Sequence, residues 1–191
     1  MADTDRPLRA DAQRNREQLL AAAVAAFSRT GPDATLESIA RAAGVGIGTL
    51  YRHFPSREAL IDAAYRSELG RLCDSVPDQL AAMPPDKALR TWMDSFVDYM
   101  TTKRGMAEAL RAVIASGGNP FAESRGRLLA AITALLRAGA AAGLLRSDVN
   151  PDDVLMGISG VSVLAAEPAQ RVQAGRLLDL IMDGLRYGAG H

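Results

Sequence analysis

Between residues 44 and 54 the sequence reads GVGIGTLYRHF, in which three glycines are followed by polar, aromatic and basic side chains. Glycine lets the backbone come close to a phosphate, and Thr49, Tyr51 and Arg52 could donate hydrogen bonds to its oxygens. Two kinds of structure use residues of these types. One is the phosphate-binding loop of a nucleotide site, and the other is a tight turn between two helices, the second of which contacts a nucleic acid.

The spacing of the glycines argues against a nucleotide-binding loop. A dinucleotide fingerprint requires G-x-G-x-x-G after a strand, but counting from either of the first two glycines places Thr49 or Tyr51 at the last position. The lysine of a P-loop is also missing. A turn between helices explains each glycine: Gly44 as a left-handed cap, Gly46 as the next N-cap, and Gly48 where the backbone approaches another surface.

The elements that must position this stretch are predicted to be helices throughout the chain. Apolar residues recur at intervals of three and four, and no segment alternates every two residues. Glycine and proline divide nine helical segments, which begin at about residues 11, 36, 47, 57, 86, 106, 120, 151 and 168. The predicted fold class is therefore all-α, with three helices at the N-terminal end followed by a larger helical bundle.

Composition restricts the classes of function. Lys+Arg and Asp+Glu both number 22, so nucleic-acid binding would have to depend on local charge, as between Arg41 and Arg57, where three arginines occur without an acidic residue. One cysteine and two histidines permit neither an internal disulfide nor a Cys/His metal cluster, and we expect no metal and no cofactor. An apolar signal core and a membrane-length apolar run are both missing, so we expect a soluble, cytoplasmic protein that does not contact membranes.

Residues 35–60, TLESIARAAGVGIGTLYRHFPSREAL, resemble the DNA-binding signature of the tetracycline-repressor (TetR) family. The resemblance extends over about residues 11–70, and the chain length and helix count agree with it. It implies a nine-helix architecture with a DNA-binding domain over 11–70, a helix-turn-helix at about 35–54, and an effector-binding and dimerisation domain over 76–191. It also implies a homodimer that represses from a palindromic double-stranded DNA operator and is released by a small molecule.

The resemblance implies roles for individual residues of the DNA-binding domain. Many members carry Ser-Lys where this chain has Gly46-Ile47, so Ile47 could offer only an apolar contact, for instance to a thymine methyl group. The alternatives are that Tyr51 packs in the core, that His53 closes the fold through a hydrogen bond, and that the flanking arginines are solvated. The predicted DNA contacts are Thr35, Arg41, Gly46, Ile47, Gly48, Thr49, Tyr51, Arg52, His53 and Arg57.

The second domain resembles the family only in its layout, so its sites are predicted from packing. The last helix is apolar over more than half of its circumference, and one side could contact a partner subunit. The predicted dimer contacts are Leu155, Ile158, Val161, Leu178, Ile181 and Leu185.

A pocket for an apolar or aromatic effector is predicted from large side chains with few charges among them. The alternative is that these residues form only the core of the bundle. The predicted pocket residues are Trp92, Phe96, Tyr99, Met100, Met106, Ile114 and Phe121.

Two other classes of function compete with a ligand-responsive DNA-binding regulator. The first is a helical protein-interaction module, because the usual basic residue of the recognition helix is missing. The second is an enzyme, which the sequence favours least: His53 lies in the DNA-binding motif, His191 is the last residue of the sequence, and no nucleophile–base pair stands out. The sequence therefore predicts a protein without enzymatic activity.

Overall fold

The computed structural model describes residues 5–165 and 168–188, and within those ranges every regular element is helical. The α-helices are α1 (Asp5–Thr30), α2 (Leu36–Ala42), α3 (Ile47–His53), α4 (Arg57–Asp74), α5 (Val76–Ala82), α6 (Pro85–Gly105), α7 (Ala107–Ala115), α8 (Ser124–Ala141), α9 (Pro151–Leu164) and α10 (Pro168–Arg186), and Gly31–Asp33 form one turn of 3₁₀ helix. The all-α prediction is confirmed.

Each of the nine predicted helical segments is present, and one further short helix, α5, forms between the fourth and fifth of them. Pro77 lies in the first turn of α5, where its missing N–H removes no helical hydrogen bond. Val76 of the same turn is buried. Pro77, which we interpreted as a break between two helical segments, therefore lies in the first turn of a helix. The eighth helix starts at Ser124, later than the predicted Pro120.

The described chain divides into two compact units. Unit 1 contains the residues up to Ser67 together with Thr102–Pro120, and unit 2 contains Glu68–Thr101 and the residues from Phe121 onward. Helix α7 therefore groups with unit 1, whereas the predicted domain boundary assigned it to the second domain. The functional division at residues 70–76 stays a prediction.

Unit 1 is built on one apolar face of α1. Helix α1 packs against α2, α3 and the 3₁₀ turn, and α7 packs against the same turn. The end of α6 also comes close to α1. A Cβ built at Gly105 would lie only 2.9 Å from the Ser28 carbonyl oxygen. The buried side chains of this core include Leu19, Leu20, Ala23, Phe27, Ile39, Ala40, Leu50, Phe54, Leu60 and Ile61. The core buries one side of α3 and leaves the other side exposed.

Unit 2 is a helical bundle in which α9 packs against both α8 and α10. The indole N–H of Trp92 donates a hydrogen bond of 3.0 Å to the Leu72 carbonyl, so this buried polar group has a partner. The buried side chains of the bundle include Trp92, Met93, Phe96, Ile132, Leu135, Ile158, Leu178 and Met182. No helix within the described ranges has the length and apolar character that a bilayer span requires.

A row of ion pairs joins α6 to α10 within unit 2. Arg90 pairs with Asp179 at 2.7 Å, and Asp86 accepts a 2.7 Å hydrogen bond from Arg186. Burial opposes the ionisation of Asp86, but the hydrogen bonds from the Arg186 guanidinium and the Lys87 backbone N–H outweigh burial and lower the pKa of Asp86. The carboxylate form of Asp86 is therefore the form that the folded protein favours.

Candidate nucleic-acid interface

Helix α2 begins at an N-cap that the sequence predicts. Thr35 has extended backbone angles, φ −89° and ψ 149°, and its side-chain oxygen accepts a 3.1 Å hydrogen bond from the Ser38 N–H. The Ser38 hydroxyl in turn donates to the Thr35 carbonyl at 2.8 Å. Such a cap stabilises a helix by about 1 kcal/mol. The cap fixes the start of α2 on an exposed edge of unit 1.

The turn between α2 and α3 is a Schellman motif that ends in a left-handed glycine. Gly44 has φ +69°, its N–H donates to the Arg41 carbonyl at 3.1 Å, and the Val45 N–H donates to the Ala40 carbonyl at 3.0 Å. Gly46 then has extended angles and caps α3, as predicted. The predicted helix-turn-helix is therefore present, with a left-handed glycine at the turn and an extended glycine at the N-cap of α3.

The two glycines at the start of α3 leave its outer surface open. Apart from its chain neighbours and the nearby backbone of its own helix, a Cβ built at Gly46 or Gly48 would meet no atom within 4 Å. Packing inside the protein therefore does not require glycine at either position. The missing side chains instead allow another molecule to approach the α3 backbone closely, which supports the role that the sequence predicts for Gly48.

Helix α3 has a buried side and an exposed side. Leu50 is fully buried against α1 and α2, whereas Ile47 and Tyr51, one turn apart, are 38% and 49% exposed. Arg52 lies next to Tyr51 and is also exposed. The alternative that Tyr51 belongs to the core is therefore wrong. We name Ile47, Gly48, Tyr51 and Arg52 the reading face.

The remaining predicted contacts differ in how far they are exposed. Thr49 is half-buried, and Arg41 on α2 is exposed. His53 is half-buried beside Phe54, and the two ring centroids lie 6.2 Å apart. The guanidinium of Arg16 lies over the Phe54 ring at 5.6 Å from its centroid. Arg16 therefore packs on the aromatic residue that ends α3.

Arg57 has a structural role that the sequence did not predict. Its guanidinium donates to the Ala34 carbonyl and, at 2.6 Å, to the Pro32 carbonyl. It also lies 5.0 Å from the centroid of the Phe27 ring. Arg57 thus ties the start of α4 to the connection between α1 and α2, and the alternative of a solvated charge is wrong. A phosphate contact by Arg57 stays a prediction, because no nucleic acid is present.

The predicted pocket residues belong to both units. Trp92 and Phe96 are fully buried and stacked, with ring centroids 5.8 Å apart, in unit 2. Met106 is buried in unit 1, and Ile114 is 47% exposed on α7 of the same unit because Leu110 and its neighbours occupy the buried side of that helix. Ile114 therefore does not line an enclosed pocket.

Tyr99 is buried, whereas Met100 and Phe121 are half-buried. These three residues, with Trp92 and Phe96, belong to unit 2, where an effector pocket stays a prediction. Sequence reasoning also missed a groove of about 360 Å³ beside α8, lined in part by Arg137, and no motif marks it.

Five of the six predicted dimer contacts are buried inside the protomer. Leu155, Ile158, Val161, Leu178 and Leu185 are buried, and Ile181 is half-buried. The five buried side chains pack within their own unit and leave little surface for a second subunit, whereas a dimer contact by Ile181 stays a prediction. Both helices also expose large apolar side chains on their other sides: Met156, Val163, Leu164, Val172 and Leu180.

The geometry of unit 1 defines a helix-turn-helix protein, and comparison with known proteins identifies its family. The model of the bacterial regulatory proteins of the tetR family matches residues 19–64. A second model, described as the C-terminal domain of SbtR-like transcriptional regulators, matches residues 84–187. The chain belongs to the TetR family of DNA-binding transcriptional regulators.

Individual relatives agree with this assignment. A solved TetR transcriptional regulator from Streptomyces coelicolor is 58% identical, with a TM-score of 0.86, and the match covers 90% of this chain and 98% of that one. A TetR regulator from Mycobacterium vanbaalenii is 33% identical, with a TM-score of 0.78, over 94% of this chain and 99% of that one. The regulator BetI of Escherichia coli O127:H6 is 37% identical over 76 residues, so the match spans about two fifths, 39%, of both chains.

Proposed function

We propose that the protein is a homodimeric repressor that binds a palindromic operator in double-stranded DNA and is released by a small-molecule effector. The observation that carries the proposal is the reading face of α3, which is exposed on one side while Leu50 anchors the other. Recognition of the major groove by a helix needs one that its neighbours hold rigidly and that is free on its outer side. The family consists of regulators, so we assign no reaction, and the proposed DNA-binding role supports a cytoplasmic location.

The exposed apolar side chains of α9 and α10 support dimerisation. Val163 and Leu180 are 67% and 66% exposed, although both lie on helices whose opposite sides are buried. A second copy of the same surface would bury them, as in isologous two-fold interfaces. The two reading faces of such a dimer would lie about one turn of DNA apart, roughly 34–36 Å, or a multiple of that distance.

The effector is proposed to be apolar or aromatic and to act on unit 2. The aromatic pair Trp92 and Phe96 is buried there, and an effector of similar chemistry could pack against it. A switch needs only a coupling free energy of about 1–3 kcal/mol between effector and operator binding. Release of bound DNA by hydrophobic compounds would support this part of the proposal.

The test begins with selection of bound fragments from the genome that encodes the protein. The dissociation constant of the best fragment is then measured at physiological salt for the unsubstituted protein, Tyr51→Ala and Tyr51→Phe. We expect the selected fragment to bind on the order of 10³-fold more tightly than random DNA. Tyr51→Ala should lose about tenfold to a hundredfold in affinity. The Phe variant separates the contribution of the ring from that of the hydroxyl.

The opposite result would be that the protein binds the selected fragment and random DNA equally weakly. It would reject the proposal and favour the protein-interaction module. A reporter gene under the selected fragment then distinguishes repression from activation, since loss of the protein should raise expression only if it represses.

A further inference from the structure

The reading face of α3 is mostly apolar, although it is proposed to meet a polyanion. Among the described residues of unit 1, three large hydrophobic side chains are exposed, Ile47, Tyr51 and Ile114, and two of them belong to this seven-residue helix. Arg52 contributes the positive charge of the face. Ile47 is only partly covered within its own unit, with 38% of its surface exposed.

The neighbours of Ile47 leave its side chain free to make contact. Gly46 and Gly48 on either side contribute no side chains, and their Cβ positions are open. Isoleucine is β-branched and strongly prefers one χ1 rotamer in a helix, so the projecting group is already ordered before binding. Ile47 therefore presents a small, rigid apolar surface at the start of the helix.

The chemistry of the major groove limits what such a surface can recognise. Isoleucine has no hydrogen-bond donor or acceptor, and the C5-methyl of thymine is the apolar group that base edges offer in the major groove. We infer that Ile47 is a specificity-determining residue that packs on a thymine methyl in each half of the operator. This inference rests on the proposed function and specifies thymine as a base that α3 recognises.

An apolar contact also has a recognisable salt dependence. The overall affinity of a protein for DNA falls as salt rises, because phosphate contacts release counterions. Contact between two uncharged groups releases none. The ratio of affinities for DNA with and without the methyl group should therefore stay constant between low and high salt, while both affinities fall together.

The experiment replaces each thymine of the selected operator with deoxyuridine, symmetrically in both halves, which removes only the methyl group. Dissociation constants are measured for the unsubstituted protein, Ile47→Ala and Ile114→Ala. The last is a matched control, because Ile114 is an exposed isoleucine on α7. Thermal unfolding of each variant confirms that it is folded.

We expect one thymine position per half-site at which the unsubstituted protein and Ile114→Ala lose affinity. The loss should be roughly fourfold per half-site, the equivalent of burying one CH₂-sized group, or about 15-fold for both halves. Ile47→Ala should bind the thymine and deoxyuridine operators equally.

Specific binding in which no deoxyuridine position distinguishes the unsubstituted protein from Ile47→Ala would overturn this inference and leave the proposed function intact. If no DNA fragment is bound specifically, both are overturned. A thymine-to-deoxyuridine ratio that falls steeply with salt would also count against an apolar contact.

Discussion

Replacing Arg57 by glutamine separates two roles that this residue could have in operator binding. The resemblance to the TetR family implies that Arg57 contacts a DNA phosphate. The structure shows its guanidinium donating to the carbonyls of Ala34 and Pro32 and packing on Phe27. A residue that holds the connection between α1 and α2 contributes to stability. A residue that contacts phosphate contributes to the salt dependence of binding.

The expected loss of stability follows from the contacts of Arg57. Its hydrogen bond to Ala34 is partly buried and the one to Pro32 is exposed, so together they should contribute about 2 kcal/mol. The guanidinium over the Phe27 ring adds about 0.5–1 kcal/mol. Arg57→Gln should therefore destabilise the protein by about 2–3 kcal/mol. For a chain of this size the melting temperature would fall by roughly 4–12 °C.

The assay combines thermal unfolding with operator binding at several salt concentrations. Arg57→Lys serves as the matched control, since it keeps the charge but cannot reach both carbonyls with a planar fork. If the structural role dominates, both variants lose stability and the slope of log affinity against log salt stays the same. The reasoning would be refuted if the melting temperature stayed unchanged and the salt slope of Arg57→Gln, but not that of Arg57→Lys, became smaller by about 1.8. That decrease corresponds to two lost phosphate contacts per dimer.

Three further predictions concern the turn, the α6–α10 ion pairs and the dimer. Gly44→Ala should destabilise the protein by about 1–2 kcal/mol because φ at this position is +69°. Gly48→Ala should leave the stability unchanged or raise it by up to about 1 kcal/mol, and it should weaken operator binding. Unfolding and binding curves check both variants, and a melting temperature of Gly44→Ala equal to that of the unsubstituted protein would contradict the first expectation. The pKa of Asp86 is lower in the folded protein, so its ionised form stabilises the fold above the unfolded-state pKa of about 3.9, and this contribution is lost as pH falls through the folded pKa. The difference in stability between the unsubstituted protein and Asp86→Asn should therefore shrink below about pH 4, and a constant difference from pH 7 to pH 3 would argue against it. Leu180→Glu should convert the dimer to a monomer in sedimentation equilibrium. The control Gln173→Glu changes an exposed residue of the same helix and should leave the dimer intact. If the Leu180→Glu variant is still a dimer, the interface lies elsewhere.

Local features of the DNA-binding region could be predicted from the sequence because neighbouring residues determine them. The N-cap at Thr35 depends on a hydroxyl and an N–H three residues later, and the turn at Gly44 depends on a backbone conformation that glycine adopts without strain. The order of the helices follows from apolar spacing in the same way. The motif was therefore predicted residue by residue, down to the N-cap role of Gly46.

Contacts between distant residues could not be predicted in this way. Arg57 lies 23 residues from the carbonyl of Ala34, and no local pattern connects them. The start of α5 at Val76 depends on burial of its first residue, which requires the rest of unit 2. In both cases the partner comes from another part of the fold.

The sequence by itself determined nine of the ten α-helices of the described residues, the caps at Thr35 and Gly46 and the glycine-rich turn, since each depends on residues within about one helical turn. The tertiary structure alone decided which side of an apolar helix faces inward. Helix α9 carries large apolar residues on more than one side, and packing against α8 and α10 buries Ile158 while leaving Val163 exposed. Apolar periodicity gives the direction of a face only when the helix has a single apolar face, and α9 has two.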